Sequence, residues 1–155
     1  MIGLLSYFFG RGLADQPEAT AITVTASAAS GSAGSSNAPG SGEISIPISD
    51  LASGQAKFFN YVASDKTAMR FFVIKSSDGV YRAALDACDV CYRHKKGYQH
   101  VGDDMVCKKC GQRFPSKLVN EVTGGCNPVA VARTVAGENL LIKSADLENL
   151  KTYFF

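Results

Sequence analysis

Lys75-Ser76-Ser77-Asp78-Gly79-Val80-Tyr81-Arg82-Ala83-Ala84-Leu85-Asp86-Ala87-Cys88 joins the most regular part of the chain to its most reactive part. Asp-Gly between two strand-like runs signals a hairpin, because both positions of a tight two-residue turn want positive φ. Met69 to Lys75 leads into the turn with aromatic and β-branched residues, and Val80 to Leu85 leads out of it to Asp86 and Cys88. Lys57 to Val62 has the same character and is set off by the polar turn Ala63 to Thr67, so three consecutive antiparallel strands are expected.

Toward the N-terminus, Ile44, Ile46 and Ile48 alternate with Ser45, Pro47 and Ser49, the period-2 pattern of a half-buried strand, and Pro47 assigns it to a sheet edge. Toward the C-terminus, Val129 to Val135 and Leu140 to Lys143 bracket Ala136-Gly137-Glu138-Asn139 as a second hairpin. Ser144 is then placed to cap a short helix whose Leu147, Leu150 and Phe154 share one face. Asp50-Leu51 before Phe58-Phe59 is echoed by Asp146-Leu147 before Phe154-Phe155, which suggests equivalent packing at the two ends of the domain. The fold class predicted is mainly β (α+β): a small antiparallel β domain with a Cys-rich metal-knuckle lobe and a short C-terminal helix.

Within the 155 residues, 43–155 form the expected domain, long enough to bury a core without relying on cysteine staples. Residues 20–42 are almost entirely Ala, Ser, Gly and Thr and read as a tether, lacking the apolar surface that would offset ordering entropy. Residues 1–19 open with an apolar run, Met1 to Gly10, well short of the roughly 20 residues that span a bilayer. It reads either as a signal or anchor remnant, with Gly12 and Ala14 at a peptidase-like spacing, or as a contact for self-association. A net charge of +2 supplies no field that argues for nucleic acid.

The five cysteines fall as Cys88-x2-Cys91, fifteen residues, Cys107-x2-Cys110, fifteen residues, Cys126. A C-x2-C pair puts two thiolates on one tight turn, and two such turns can surround one ion with four sulfurs. Cys110 is followed by Gly111, suited to the positive φ of a metal knuckle, whereas Cys91 is followed by Tyr92, so the two turns are not equivalent. Gly124 and Gly125 precede Cys126 and Pro128 fixes the exit. Cys126 is open to three roles: a replacement ligand, a bridge to a second metal, or a buried free thiol.

Residues 88 to 117 carry seven cations, including Arg93, Lys95, Lys96, Lys108 and Lys109, against three carboxylates, a surplus suited to a thiolate site with negative charge. The same cations could serve a nucleic-acid-binding ribbon, but no interleaved aromatic platform or recognition helix accompanies them, so no nucleic-acid partner is expected. Disulfide pairing would strand one of five cysteines, and the βαβ setting of a dithiol redox motif is lacking. Four thiolates accept zinc, a single iron, an iron-sulfur cluster or Cu(I), and the spacing alone favours structural zinc. His94 and His100 read as solvated, and Asp86 and Asp89 as turn-forming side chains. No metal-hydrolase His motif, nucleophile elbow or phosphate-binding loop is present, and the chain is not expected to act as an enzyme by itself.

Several separated motifs occur in a familiar order: Phe71-Phe72 through Val80, Ala84 through Tyr92, Lys96-Gly97-Tyr98, Met105 through Phe114, and Gly124 through Pro128. Together they resemble the FtrD-like family of membrane iron-sulfur-containing proteins over about residues 44 to 155. The resemblance implies Cys88, Cys91, Cys107, Cys110 and Cys126 as the metal and cofactor set and an iron-sulfur cluster or iron as cofactor, while zinc or copper are the alternatives that the thiolates themselves leave open. It further implies electron transfer or iron handling beside a membrane permease, with permease or electron-transfer components as partners. The expected location is extracytoplasmic, periplasmic or cell-surface. The family's multi-helix anchor has no counterpart among these residues, so a soluble or membrane-tethered version is expected. The readings from other classes are a structural zinc module for interaction and a copper chaperone.

Overall fold

The computed structural model describes residues 22–24 and 42–155. The apolar segment 1–19 and nearly all of the tether lie outside the described residues.

Three strands organise the domain: β3 (Lys57–Val62), β4 (Ala68–Lys75) and β5 (Tyr81–Cys88), antiparallel in sequence order. The central sheet is completed by β1 (Ile22–Val24), parallel to β3, and by β9 (Pro128–Ala130) beside β5. A second sheet orders β10 (Thr134–Ala136), β11 (Asn139–Lys143) and β2 (Glu43–Pro47), and a third orders β6 (Tyr98–Val101), β7 (Asp104–Cys107) and β8 (Arg113–Pro115). Among the described residues every strand pair except β1–β3 is antiparallel.

Both faces of the central sheet are buried. Because side chains alternate along a strand, Phe59, Tyr61, Phe71, Val73, Ala83 and Leu85 point to one face, where they pack with Ile44, Ile46, Leu140, Ile142 and Leu147. Phe58, Phe72, Ile74, Ala84 and Cys88 point to the other and pack with Tyr98, Met105, Cys107, Phe114 and Val119 of the third sheet and its flanks. The domain is thus three layers thick, with β3, β4 and β5 in the middle layer. Full burial of one such large side chain is worth about 1.5–3 kcal/mol, which explains near-continuous apolar runs in place of strict alternation.

Three details differ from the sequence expectation. The Asp78-Gly79 hairpin exists, but its loop is Ser77 to Gly79: Gly79 N–H donates to the Ser76 carbonyl and only Gly79 has positive φ, the geometry of a three-residue loop. The run Val129 to Val135 is not one strand. It breaks at Val131–Arg133, so that β9 completes the central sheet while β10 pairs with β11 around Gly137-Glu138. Ser144 is the first residue of the helix α1 (Ser144–Asn149), not its cap, and makes no capping bond. Its predicted apolar face stands, with Leu147 buried and Leu150 and Phe154 packed beside it. The echo is realised in Leu51 and Leu147, both fully buried in one core, whereas Phe155 is 64% exposed. The edge position foreseen for the Pro47 strand is observed.

Candidate metal centre

All five cysteines gather at one end of the second core, brought there by three chain segments. Cys88 ends β5 and faces the third sheet, and the chain turns at once so that Cys91 N–H donates to Cys88 Sγ at 3.1 Å. A short 3-10 turn, Tyr92–His94, follows, and Lys95 takes the left-handed conformation that Gly111 takes after the second pair. Cys107 ends β7, and the turn to β8 is closed by Gly111 N–H on the Cys107 carbonyl at 2.8 Å, with Gly111 at φ +74°. Cys126 arrives on Gly124 and Gly125, both at positive φ, and Pro128 then pairs with Cys88 across β5 and β9.

The sulfurs form two overlapping triads. Cys88, Cys91 and Cys126 lie within 4.8 Å of one another, as do Cys91, Cys107 and Cys110, with Cys91 common to both. Cys91 and Cys126 are 3.7 Å apart. Cys88 and Cys107 are buried, Cys91 and Cys126 half-buried and Cys110 exposed, so the group is walled on one side and reaches solvent at Cys110.

This proximity shapes the acidity of the thiols. Burial and the neighbouring Cys126 push Cys91 up, and burial with Cys110 nearby pushes Cys126 up to about 11. The backbone at Gln112 draws Cys110 down. Crowded thiols resist ionising together, and a cation among them reverses that balance. The donor set is all sulfur, which suits thiophilic iron, zinc or Cu(I) and not a hard cation such as magnesium.

Tyr98 holds the three segments in place. It pairs with Cys107 across β6 and β7, its N–H donates to Asp86 Oδ1 at 2.6 Å, and its hydroxyl donates to the Cys126 carbonyl at 2.6 Å. Its ring lies between Phe72 and Phe114, with centroids 6.2 Å from each. Asp86 is therefore not a turn residue: it is a buried strand residue whose carboxylate rests against Gly97, where a Cβ would collide with it. Burial raises its carboxyl to about 6. His100 is not simply solvated either, since its Nδ1 accepts the Ala56 N–H at 3.3 Å and ties the lobe to the start of β3. His94 is exposed, and Asp89 accepts the Tyr153 hydroxyl at 2.6 Å. Sequence reasoning passed over Tyr98 and Tyr153 as positioning residues; the only signal available was the stretch Lys96-Gly97-Tyr98, with a glycine where a carboxylate needs room.

A family model described as membrane iron-sulfur containing protein, FtrD-like, matches residues 51–154. Neither comparison with curated proteins nor comparison with solved structures gives a match. The family and the cysteine triads fit metal binding. No helix among the described residues is long and apolar enough to cross a membrane.

Proposed function

Because the chain belongs to the FtrD-like family of membrane iron-sulfur containing proteins, we propose that it is an electron-transfer or iron-handling protein that works on the extracytoplasmic side of a membrane, beside a transport system. Cys88, Cys91, Cys107, Cys110 and Cys126 would hold the metal, with Cys91 the ligand shared by both triads. An iron-sulfur cluster or iron at this position supplies reversible one-electron chemistry. The observation that carries the reading is the convergence of five sulfurs, from three segments, into two triads that share Cys91 at the border of a core.

The chain's own residues supply the rest. Phe72, Tyr98 and Phe114 exclude water from the buried side, while Tyr98 fixes the backbone on either side of the sulfurs. The exposed Cys110 edge is where a partner could approach, and Lys108 and Lys109 beside it offset thiolate charge. A structural zinc module is favoured by one observation, that two cysteines are themselves part of the second core.

Anaerobic purification followed by elemental analysis, acid-labile sulfide assay and a visible spectrum on one sample tests the proposal. Iron with sulfide and a bleachable visible band is the expected result. Colourless protein with one zinc per chain would replace the electron carrier by the structural module.

A further inference from the structure

A cavity of about 560 Å³ includes Cys88, Cys91 and Cys107 in its lining. That volume lies in the range of small-molecule sites. Its remaining walls combine two chemistries. Tyr92, Tyr153 and Phe154 give aromatic surface, with Tyr92 and Tyr153 packed edge to face at 5.5 Å. Arg70, Lys95 and Lys96 give three cations, and the one carboxylate side chain in the lining is Asp86.

Asp86 is largely committed within the protein. Its Oδ1 accepts the Tyr98 N–H, and its side chain is only 6% exposed. Arg70 is less engaged. Its Nε stands 3.5 Å from Asp86 Oδ2, close enough for an ion pair, but it is buried and makes no hydrogen bond. The guanidinium lies 4.6 Å above the Phe58 ring, a contact that fixes its plane, and 37% of the side chain stays accessible. Lys95 and Lys96 are exposed and form no ion pair among the described residues. A planar guanidinium in the lining of the same cavity as Tyr92, Tyr153 and Phe154, with exposed ammonium groups beside it, matches a carboxylate carried on an apolar body.

We propose that this cavity binds a small aromatic carboxylate, with the guanidinium of Arg70 taking the carboxylate, Lys95 and Lys96 closing on it from the rim, and Tyr92 and Tyr153 receiving the ring. The site goes beyond the metal-binding reading and does not depend on it, since none of the groups that contact the anion is a cysteine. Its position places the ligand next to the sulfurs, where a bound anion would control access to them.

The test is calorimetric titration of the full chain with phthalate, with phthalamide as the uncharged counterpart, and amide NMR shifts to locate the ligand. Phthalate should saturate, shift the amides of Arg70 and of Lys95 to Gly97, and bind at least about tenfold more tightly than phthalamide. Arg70→Gln should weaken it by about tenfold or more. Because Arg70 also packs on Phe58, the double variant Lys95→Gln/Lys96→Gln, confined to exposed side chains, provides an independent arm. It should lower affinity by a few-fold and flatten the dependence on salt. Absence of saturation at about 10 mM phthalate, a very weak affinity by any standard, or equal affinity in wild type and both variants, would overturn the proposal.

Discussion

The two faces of the central sheet are closed in different ways by the same three strands. On one face Phe59, Phe71 and Leu85 meet Ile44, Ile46, Leu140, Ile142 and Leu147, a hydrocarbon core sealed by a second sheet and a short helix. On the other, Phe58, Phe72 and Ile74 meet a lobe of three short strands whose interior includes Cys88 and Cys107. That lobe is fastened by polar contacts: Tyr98 to Asp86, the Ala56 N–H to His100, and Ser77 and Ser116 to Asp103 at 2.7 and 2.5 Å. The first face is closed chiefly by hydrocarbon burial. The second also carries the five sulfurs, and a metal held there as proposed would couple to the fold on that face and not across the whole domain.

Removing the metal should separate the two faces most strongly. Structural thiolate sites contribute metal-binding free energy directly to folding, about 10–16 kcal/mol in the smallest metal-dependent domains. Chelation, or Cys91→Ser, which takes a sulfur from both triads, should abolish metal retention in native mass spectrometry. In hydrogen exchange the amides of β6 and β7 should lose protection while those of β3 and β4 keep it. Equal loss on both faces would mean that one cooperative unit spans the sheet and that the division is wrong.

Neighbouring aromatics sharpen the comparison at lower cost. Phe71 and Phe72 are both fully buried but face opposite ways. Each change to Ala should lower stability by about 3–5 kcal/mol in urea titration. Only Phe72→Ala should also speed loss of metal to a chelator, because Phe72 supports the ring of Tyr98. Smaller again is Tyr98→Phe, which keeps the ring and removes the bond to the Cys126 carbonyl. It should cost about 0.5–1.5 kcal/mol and quicken alkylation of Cys126 relative to Cys88. If Cys126 is no more reactive in the variant, the hydroxyl does not position it.

The hydrocarbon face and the strands that build it were legible in the sequence, because period, turn residues and β-branching act locally. The gathering of the cysteines could be expected from their spacing, but not that Cys91 would be common to two triads, since that depends on how β5, β7 and the Cys126 loop meet in space. Asp86 and His100 were misread for the same reason. A polar residue near a turn looks solvated until a distant segment, here Tyr98 or Ala56, supplies its partner. The break at Val131–Arg133 was hidden because one apolar run served two sheets.

The smallest expected effect belongs to the hydrocarbon face and concerns pH. Glu148 of α1 accepts from the Tyr61 hydroxyl at 2.9 Å, the Ser64 N–H at 2.8 Å and the Ser64 hydroxyl at 3.0 Å. Burial opposes its ionisation, but the Ser64 N–H, the two hydroxyls and Lys151 outweigh that and hold its carboxyl below the usual glutamate range. Its folded pKa is depressed, so its contribution is fully present above the unfolded value, about 4.3, and is lost as pH falls through the folded value. Glu148→Gln should therefore flatten the acid limb of the stability profile there, while metal retention at neutral pH stays that of the wild type. Tyr61, raised to about 12 by burial and by Glu148, gives the opposite limb: stability present below its unfolded value, about 10, and lost as pH rises through the folded one. Metal-bound thiolates add a pH dependence of their own, so the comparison is between variants: because both groups belong to the face without cysteines, the change in acid slope caused by Glu148→Gln is expected to be the same in the metal-loaded and chelated protein, whereas a change that depends on metal would tie this network to the sulfur side.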